Sequence, residues 1–575
     1  MAREFDTVIR GGTIVDGTGG ASFEGDVGIS GGKIAAVGQV AGRGAEEVDA
    51  KGLLVTPGFV DIHTHYDGQA IWADRLSPSS SHGVTTAVGG NCGVGFAPCR
   101  PEHRELLVSV MEGVEDIPEV VMTEGLTWNW ETYPEYLNAL EARPHDIDFA
   151  SQIPHSAVRV YVMGQRGADR EPATADDLVR MQAIVREAMD VGALGFATSR
   201  LVIHKTGKGD AIPTYDSAER ELEAIALALK DSGKGVLQAV FGSPGRTLVD
   251  EVGLLSRLTK MSGRPASFSM AQEIARPDVW RDVMAALAEA NTQGPRIRAQ
   301  VYPRPIGVVL GFDLSINPFS LCPSWEALAR LPFGERIKAL RDPEVRARLL
   351  SEDANDPVIP LSRLGRLYER MYPLNDPPNY EPAPEDSILA QAARRGINPA
   401  ELAYDLLMEK DGHGLLLSVL ANYGSGNLDP ILSLMKDPNS VIGLGDGGAH
   451  YGMISDVSYP TFVLEHWTRT RAGERISIER AIKALTSDTA DAVGLNDRGV
   501  LSVGRKADLN LIDHGAVHLP PPGVAYDLPA GGRRLFQGAE GYVATMVSGQ
   551  VIARDGVPTS ALPGRLVRGP QSAPA

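Results

Sequence analysis

Cysteine is scarce in this chain: Cys92, Cys99 and Cys322 are the only three in 575 residues, too few and too scattered for a disulfide framework. Long apolar runs are missing too, since none approaches the ~18 residues of a membrane span. The opening Met1-Ala2-Arg3-Glu4-Phe5-Asp6 has no apolar signal core. Positive charge is in deficit. A formal net charge of −18 without any Lys/Arg-rich run excludes the basic face that a nucleic-acid partner requires. Together these absences predict a cytoplasmic chain in a reducing compartment, with no membrane and no nucleic acid among its partners; a homo-oligomer stays open.

Residue patterning supplies the architecture. The first 55 residues are short alternating runs punctuated by glycine, such as Thr7-Val8-Ile9-Arg10, Asp26-Val27-Gly28-Ile29 and Lys33-Ile34-Ala35-Ala36-Val37, which is hairpin chemistry. The same texture returns at residues 499–512 and 543–552, so a small β-sandwich domain assembled from residues 1–55 and 498–575 is expected. The tail after Gly569 shows no apolar pattern and is expected to be disordered.

Between these ends, apolar strand candidates alternate with amphipathic helix candidates, the βαβα pattern of a parallel sheet. Eight strands are predicted, over residues 55–62, 83–88, 148–153, 192–198, 235–240, 266–271, 297–302 and 441–444. Eight closes a (β/α)₈ TIM-like barrel, here over residues 56–497. Residues 303–399 break the rhythm with proline-rich pieces and read as an insertion after the seventh strand.

What carries chemistry is Gly58-Phe59-Val60-Asp61-Ile62-His63-Thr64-His65. Side chains alternate across an extended chain, so His63 and His65 face one way and supply half of a first-row metal site. In a barrel of this kind reacting groups come from strand C-terminal ends. The eighth strand ends in Gly443-Leu444-Gly445-Asp446, which brings Asp446 to the same face as the histidines. Asp446 there can bind a divalent metal and accept a proton from water. His155 and Arg159 after the third strand, Arg200 and His204 after the fourth, Arg304 after the seventh and His450 beyond Asp446 are candidate substrate contacts; arginine is the better fork for a carboxylate. His82 is assigned to the core. The glycine clusters at residues 11–20 and 445–448 lack the helix or lysine of a phosphate loop and are read as turns between strands.

The ordered set resembles the amidohydrolase superfamily, within it the N-acyl-D-amino-acid deacylase (D-aminoacylase) branch. The residues that carry the resemblance are the hairpins followed by Pro57-Gly58-Phe59-Val60-Asp61-Ile62-His63-Thr64-His65, the segment from Gly83-Val84-Thr85-Thr86 to Asn91-Cys92-Gly93, Asp446, and Gly504-Arg505-Lys506-Ala507-Asp508-Leu509. The resemblance implies a zinc-dependent hydrolase of a small N-acyl substrate, with His63, His65 and Asp446 at one metal position and Cys92 as a thiolate ligand. Two departures matter. The family's metal-binding histidines on strands five and six are replaced by stretches offering only Gln238 and Gln272, and strand four lacks the bridging lysine of carbamylated members. A mononuclear Zn²⁺ site of His63, His65, Asp446 and Cys92 is therefore expected, with two ions as the alternative. Other activities remain open at this point: a cyclic-amide hydrolase or deaminase on the same scaffold, and a non-catalytic barrel acting as a binding protein.

Overall fold

The protein is described here from a computed structural model, covering residues 3–243, 245–353 and 364–574. Its centre is the predicted barrel. The strands are Phe59–Asp61, Val84–Gly89, Asp148–Ser151 continuing into Ile153–Pro154, Gly195–Ser199, Val236–Val240, Ala266–Met270, Ile297–Val301 and Ser440–Ile442, all paired in parallel. The seam between first and eighth strands is closed just beyond their regular ends: Thr64 pairs with Gly447, His65 N–H donates to Gly447 O at 2.7 Å and Asp446 N–H donates to His63 O at 3.0 Å. These bonds, which complete the cylinder, are also what brings the two histidines and the aspartate together.

Helices Ala175–Val191, Glu219–Ser232 and Leu248–Ser262 cover the outside. Their starts follow from sequence chemistry: Thr174 and Thr247 each accept the N–H three residues on, while Asp177 and Asp250 reach back to the cap, a reciprocal arrangement that satisfies otherwise orphaned donors. The buried positions of Ala175–Val191, including Met181, Val185, Ala188 and Met189, follow the i, i+4, i+7 spacing of a helix lying on a sheet.

Strands from both ends of the chain form one nine-stranded sheet, in which Leu509–Ile512 pairs antiparallel with Leu54–Pro57. Two expectations are corrected here. Gly11-Gly12 does not separate two strands but lies inside one, Arg3–Ile14, where the register shifts between Ile9 and Gly12. Gly11 adopts φ 63°, so the bulge needs a residue without a side-chain penalty there, and the strand continues through it. The segment after Gly569 is held in place at Gln571, whose N–H donates to Gly494 O at 2.9 Å and whose carbonyl accepts the Asn496 N–H at 2.8 Å. Backbone pairing requires no apolar periodicity, which is why the composition of this stretch gives no sign of it.

After the seventh barrel strand the chain leaves the cylinder. Ile306–Leu310 and Met371–Pro373 flank Leu416–Ala421 in an antiparallel sheet, backed by its own core of Phe312, Phe319, Trp325 and Tyr404. This layer is tied to the barrel mouth by Asn422, whose Nδ2 donates to the carbonyls of Tyr302 and Arg304 at 3.1 and 3.2 Å. Among the described residues no helix is long and apolar enough to cross a membrane.

Candidate metal centre

His63 and His65 follow the end of strand Phe59–Asp61, with ring centroids 5.5 Å from each other. Cys92 arrives from the turn after the second strand. Nε2 of His63 lies 3.3 Å from its Sγ, and ligand atoms of His63, His65 and Cys92 all fall within 4.8 Å of one another. Asp446 closes on both imidazoles, with Oδ1 at 3.5 Å from His63 Nε2 and 3.6 Å from His65 Nε2. His63, His65 and Cys92 thus form one cluster, and Asp446 adjoins it through both imidazoles.

The backbone pays locally for this convergence. Cys92, Leu444, Asp446 and His450 all adopt left-handed conformations, at φ 54°, 63°, 48° and 51°, which L-residues with side chains avoid. Such strain persists only where surrounding structure over-determines it, and it gathers at functional sites. Glycine is required at Gly90, where φ is 76° and an added Cβ would sit 2.0 Å from Gln152 O. It is required again at Gly448, whose Cβ would press on the His65 backbone at 2.9 Å.

The donor set suits a divalent ion. Both ring nitrogens of His65 are buried without a hydrogen-bond partner among the described residues, an arrangement that is costly unless something else engages them. Burial holds His63 down to about 4, so its ring is neutral and free to ligate at neutral pH. Burial likewise pushes the Cys92 thiol up to about 12; only a bound cation would make it a thiolate. Burial opposes ionisation of Asp446, yet the neighbouring His65, His63 and His450 imidazoles hold it below the usual carboxylate range.

Several groups that support the site escape a reading of the sequence. Nδ1 of His63 is 2.7 Å from Gln300 Oε1, which accepts its proton and leaves Nε2 facing Cys92 and Asp446; Gln300 Nε2 in turn donates to Ser267 Oγ at 2.9 Å. Glu115, 1% exposed, stands 3.4 Å from His65 Nδ1 and 3.4 Å from His450 Nε2. The available signal for Glu115 was positional: it falls four residues after Met111 and seven after Val108, on the buried face of helix Arg104–Glu115, where a carboxylate is out of place.

The two glutamines that stand in for the missing histidines do different work. Gln238 Oε1 accepts the Cys92 N–H at 3.2 Å and so braces the cysteine turn. Gln272 is committed to the insertion, receiving the Gly424 N–H at 3.0 Å and donating to Pro277 O and Ser425 Oγ at 3.0 and 3.1 Å.

Of the candidate substrate contacts, His204 and His450 lie at the centre. His204 Nδ1 is bonded to Ser199 Oγ at 2.8 Å, and burial together with the His450 imidazole pushes it down to about 3. Arg200 reaches Glu251 at 3.5 Å and keeps a buried Nε without a partner among the described residues. Arg304 is consumed by Ser455 O at 2.6 Å, Ser458 Oγ at 3.0 Å and Asp456 at 3.3 Å. His155 and Arg159 are not brought to the centre. His155 contacts Thr198 Oγ1 at 2.9 Å and Glu221 at 2.8 Å, which occupies both ring nitrogens, and Arg159 pairs with the same buried glutamate. His82 is a core residue, held by Thr461 Oγ1 at 2.7 Å and Gln537 O at 2.9 Å.

The Glu221 cluster carries a stability prediction. Burial disfavours the carboxylate, but His155 and Arg159 outweigh it and hold Glu221 down to about 2. A depressed carboxylate contributes stability above its unfolded value and loses it as pH falls through the folded one. Glu221→Ala is expected to cost about 3 to 5 kcal/mol at neutral pH by stranding Arg159, with the difference from wild type shrinking as pH drops from about 4.5 towards 2 in denaturant titrations. A difference independent of pH over that range would refute the ionic account.

Known proteins resemble the chain along most of its length. The chain matches the amidohydrolase family described as Amidohydro_3 over residues 46–553. An uncharacterized protein of Mycobacterium tuberculosis is 28% identical, covering 96% of this chain and 92% of that one. D-aminoacylase of Alcaligenes xylosoxydans xylosoxydans is 34% identical over a shorter stretch, 34% of this chain and 38% of that enzyme. Among solved structures, a D-aminoacylase crystal structure superposes with a TM-score of 0.65 at 23% identity, over 98% of this chain and 100% of the other. At that identity the superposition speaks for the fold, and the family match speaks for the rest: the chain belongs to the amidohydrolase family and is a hydrolase of carbon–nitrogen bonds other than peptide bonds, similar over part of its length to D-aminoacylase.

Proposed function

We propose that the protein hydrolyses the linear amide of an N-acyl-D-amino acid or a related N-acyl compound at a single zinc held by His63, His65, Cys92 and Asp446. The observation that carries this reading is the convergence of two imidazoles, a thiol and a carboxylate within 3.3 to 3.6 Å contacts at the mouth of the barrel. Its substrate class is supported by relatives named D-aminoacylase, N-acyl-D-aspartate deacylase and N-acyl-D-glutamate deacylase. One ion is preferred because Gln238 and Gln272 are both spent on backbone contacts.

When bound, the ion supplies Lewis acidity, polarising the scissile carbonyl and making water a better nucleophile. Asp446 removes a proton from the attacking water and delivers it to the departing nitrogen, so that water is divided between a carboxylic acid and an amine. Gln300 keeps His63 in the tautomer that offers Nε2. His204, fixed by Ser199, and His450 face the substrate, and Arg200 is the cation for its carboxylate. The three cysteines, all free and buried, fit a cytoplasmic location.

The test is a panel of N-acetyl amino acids of both configurations, hydantoins and N-acylated amines, assayed with zinc-reconstituted protein for release of free amine. Turnover of N-acyl-D-amino acids well above the cyclic amides is expected. Hydrolysis confined to hydantoins or aminated heterocycles would contradict the proposal.

A further inference from the structure

Glu115 sits where two imidazoles with different tasks meet. It ends helix Arg104–Glu115, which belongs to the long excursion after the second barrel strand, yet its carboxylate is 1% exposed and its two oxygens are divided: Oε1 lies 3.4 Å from Nδ1 of His65 and Oε2 lies 3.4 Å from Nε2 of His450. The backbone repeats the link, because the His450 N–H donates to the Glu115 carbonyl. The next residue fastens the same two segments: Asp116 accepts the Gly452 N–H at 3.0 Å and the Ser315 hydroxyl at 3.2 Å. No cation of Lys or Arg pairs with Glu115 among the described residues, so its partners are the two histidines.

We propose that Glu115 is a positioning residue shared by the metal ligand His65 and the cleft residue His450. A carboxylate behind a ligating imidazole accepts its Nδ1 proton, which fixes the tautomer, aims Nε2 at the metal and makes that nitrogen a stronger donor. For His65 this leaves Nε2 pointing at Asp446, 3.6 Å away. For His450 the assignment is reversed: Nε2 is held by Glu115, so Nδ1 is the nitrogen left for substrate, and the side chain keeps 18% exposure at the cleft. One buried carboxylate thus couples metal affinity to the placement of a substrate contact, and the strained φ of 51° at His450 is held by the Glu115 side chain and carbonyl.

The proposal rests on the zinc centre described above, and the experiment separates the two. Wild-type protein, Glu115→Gln, Glu115→Asp and His450→Ala are stripped of metal, then titrated with Zn²⁺ against a chromophoric chelator, with folding checked by circular dichroism. Glu115→Gln is expected to weaken zinc 10- to 100-fold while His450→Ala leaves zinc affinity unchanged. At saturating zinc, Glu115→Gln and His450→Ala should each raise KM, and the double variant should raise it no further than His450→Ala alone. Should Glu115→Gln fail to fold, Glu115→Asp carries the same test, its shorter reach weakening zinc. Zinc affinity within about twofold of wild type in a folded Glu115 variant would overturn the proposal with the centre intact; a wild-type chain that takes up no zinc would overturn the centre itself.

Discussion

Asp446→Asn is expected to bind zinc and to have lost turnover by about 10³-fold or more, because one side chain serves both as base towards water and as acid towards the leaving amine, and each such task is worth about 10² to 10⁴. The substitution preserves size and leaves an oxygen able to sit where Oδ1 now lies, 3.5 Å from His63 and 3.6 Å from His65. What it removes is basicity. In the native chain that basicity is restrained, since neighbouring imidazoles hold the carboxylate below its usual range despite burial. Single-turnover assays on zinc-loaded variant measure the loss; activity within about tenfold of wild type would remove Asp446 from its assigned role.

The second large effect is expected at Cys92. A small residue in a buried turn and a thiolate ligand look alike in a sequence, and they separate on substitution. Cys92→Ser keeps the volume and the φ of 54°, and the Cys92 N–H to Gln238 bond is a backbone contact that survives it. If the thiol only packs, zinc binding is unchanged. If it ligates, affinity should fall by at least about 100-fold, beyond what the loss of a group behind a ligand costs. Cobalt offers an independent readout: Co²⁺-substituted wild type should show a thiolate-to-metal charge-transfer band in the near ultraviolet, absent from Cys92→Ser. Equal zinc affinity and an unchanged cobalt spectrum would make Cys92 structural.

Much of the scaffold was legible because it rests on local, periodic signals. Each barrel strand is a short apolar run, and Ala175–Val191 begins at a capping threonine and ends at Gly192, so its limits follow from residue chemistry alone. His63, His65 and Asp446 were legible because alternation and strand ends fix where side chains point, however far apart they lie in the chain. What remained hidden depends on pairing across space. Gln300 differs from any buried glutamine only through its 2.7 Å contact with His63. Glu115 is marked only by its place on the apolar face of helix Arg104–Glu115, and its partners appear only when the fold sets it between two imidazoles. His155 and Arg159 were misplaced for the converse reason: they do follow a barrel strand, but the buried Glu221 of a neighbouring helix claims both. The Gly11-Gly12 bulge and the ordered tail likewise depend on backbone partners that periodicity does not register.

Metal content per chain, determined by elemental mass spectrometry on protein purified without added metal, tests the hydrolytic centre most directly. About one zinc per chain is predicted, because the donors His63, His65, Cys92 and Asp446 meet at one place while Gln238 and Gln272 are engaged elsewhere. Two ions per chain would mean that groups other than the strand-five and strand-six glutamines complete a second site, and none after zinc soaking would contradict the hydrolytic centre altogether.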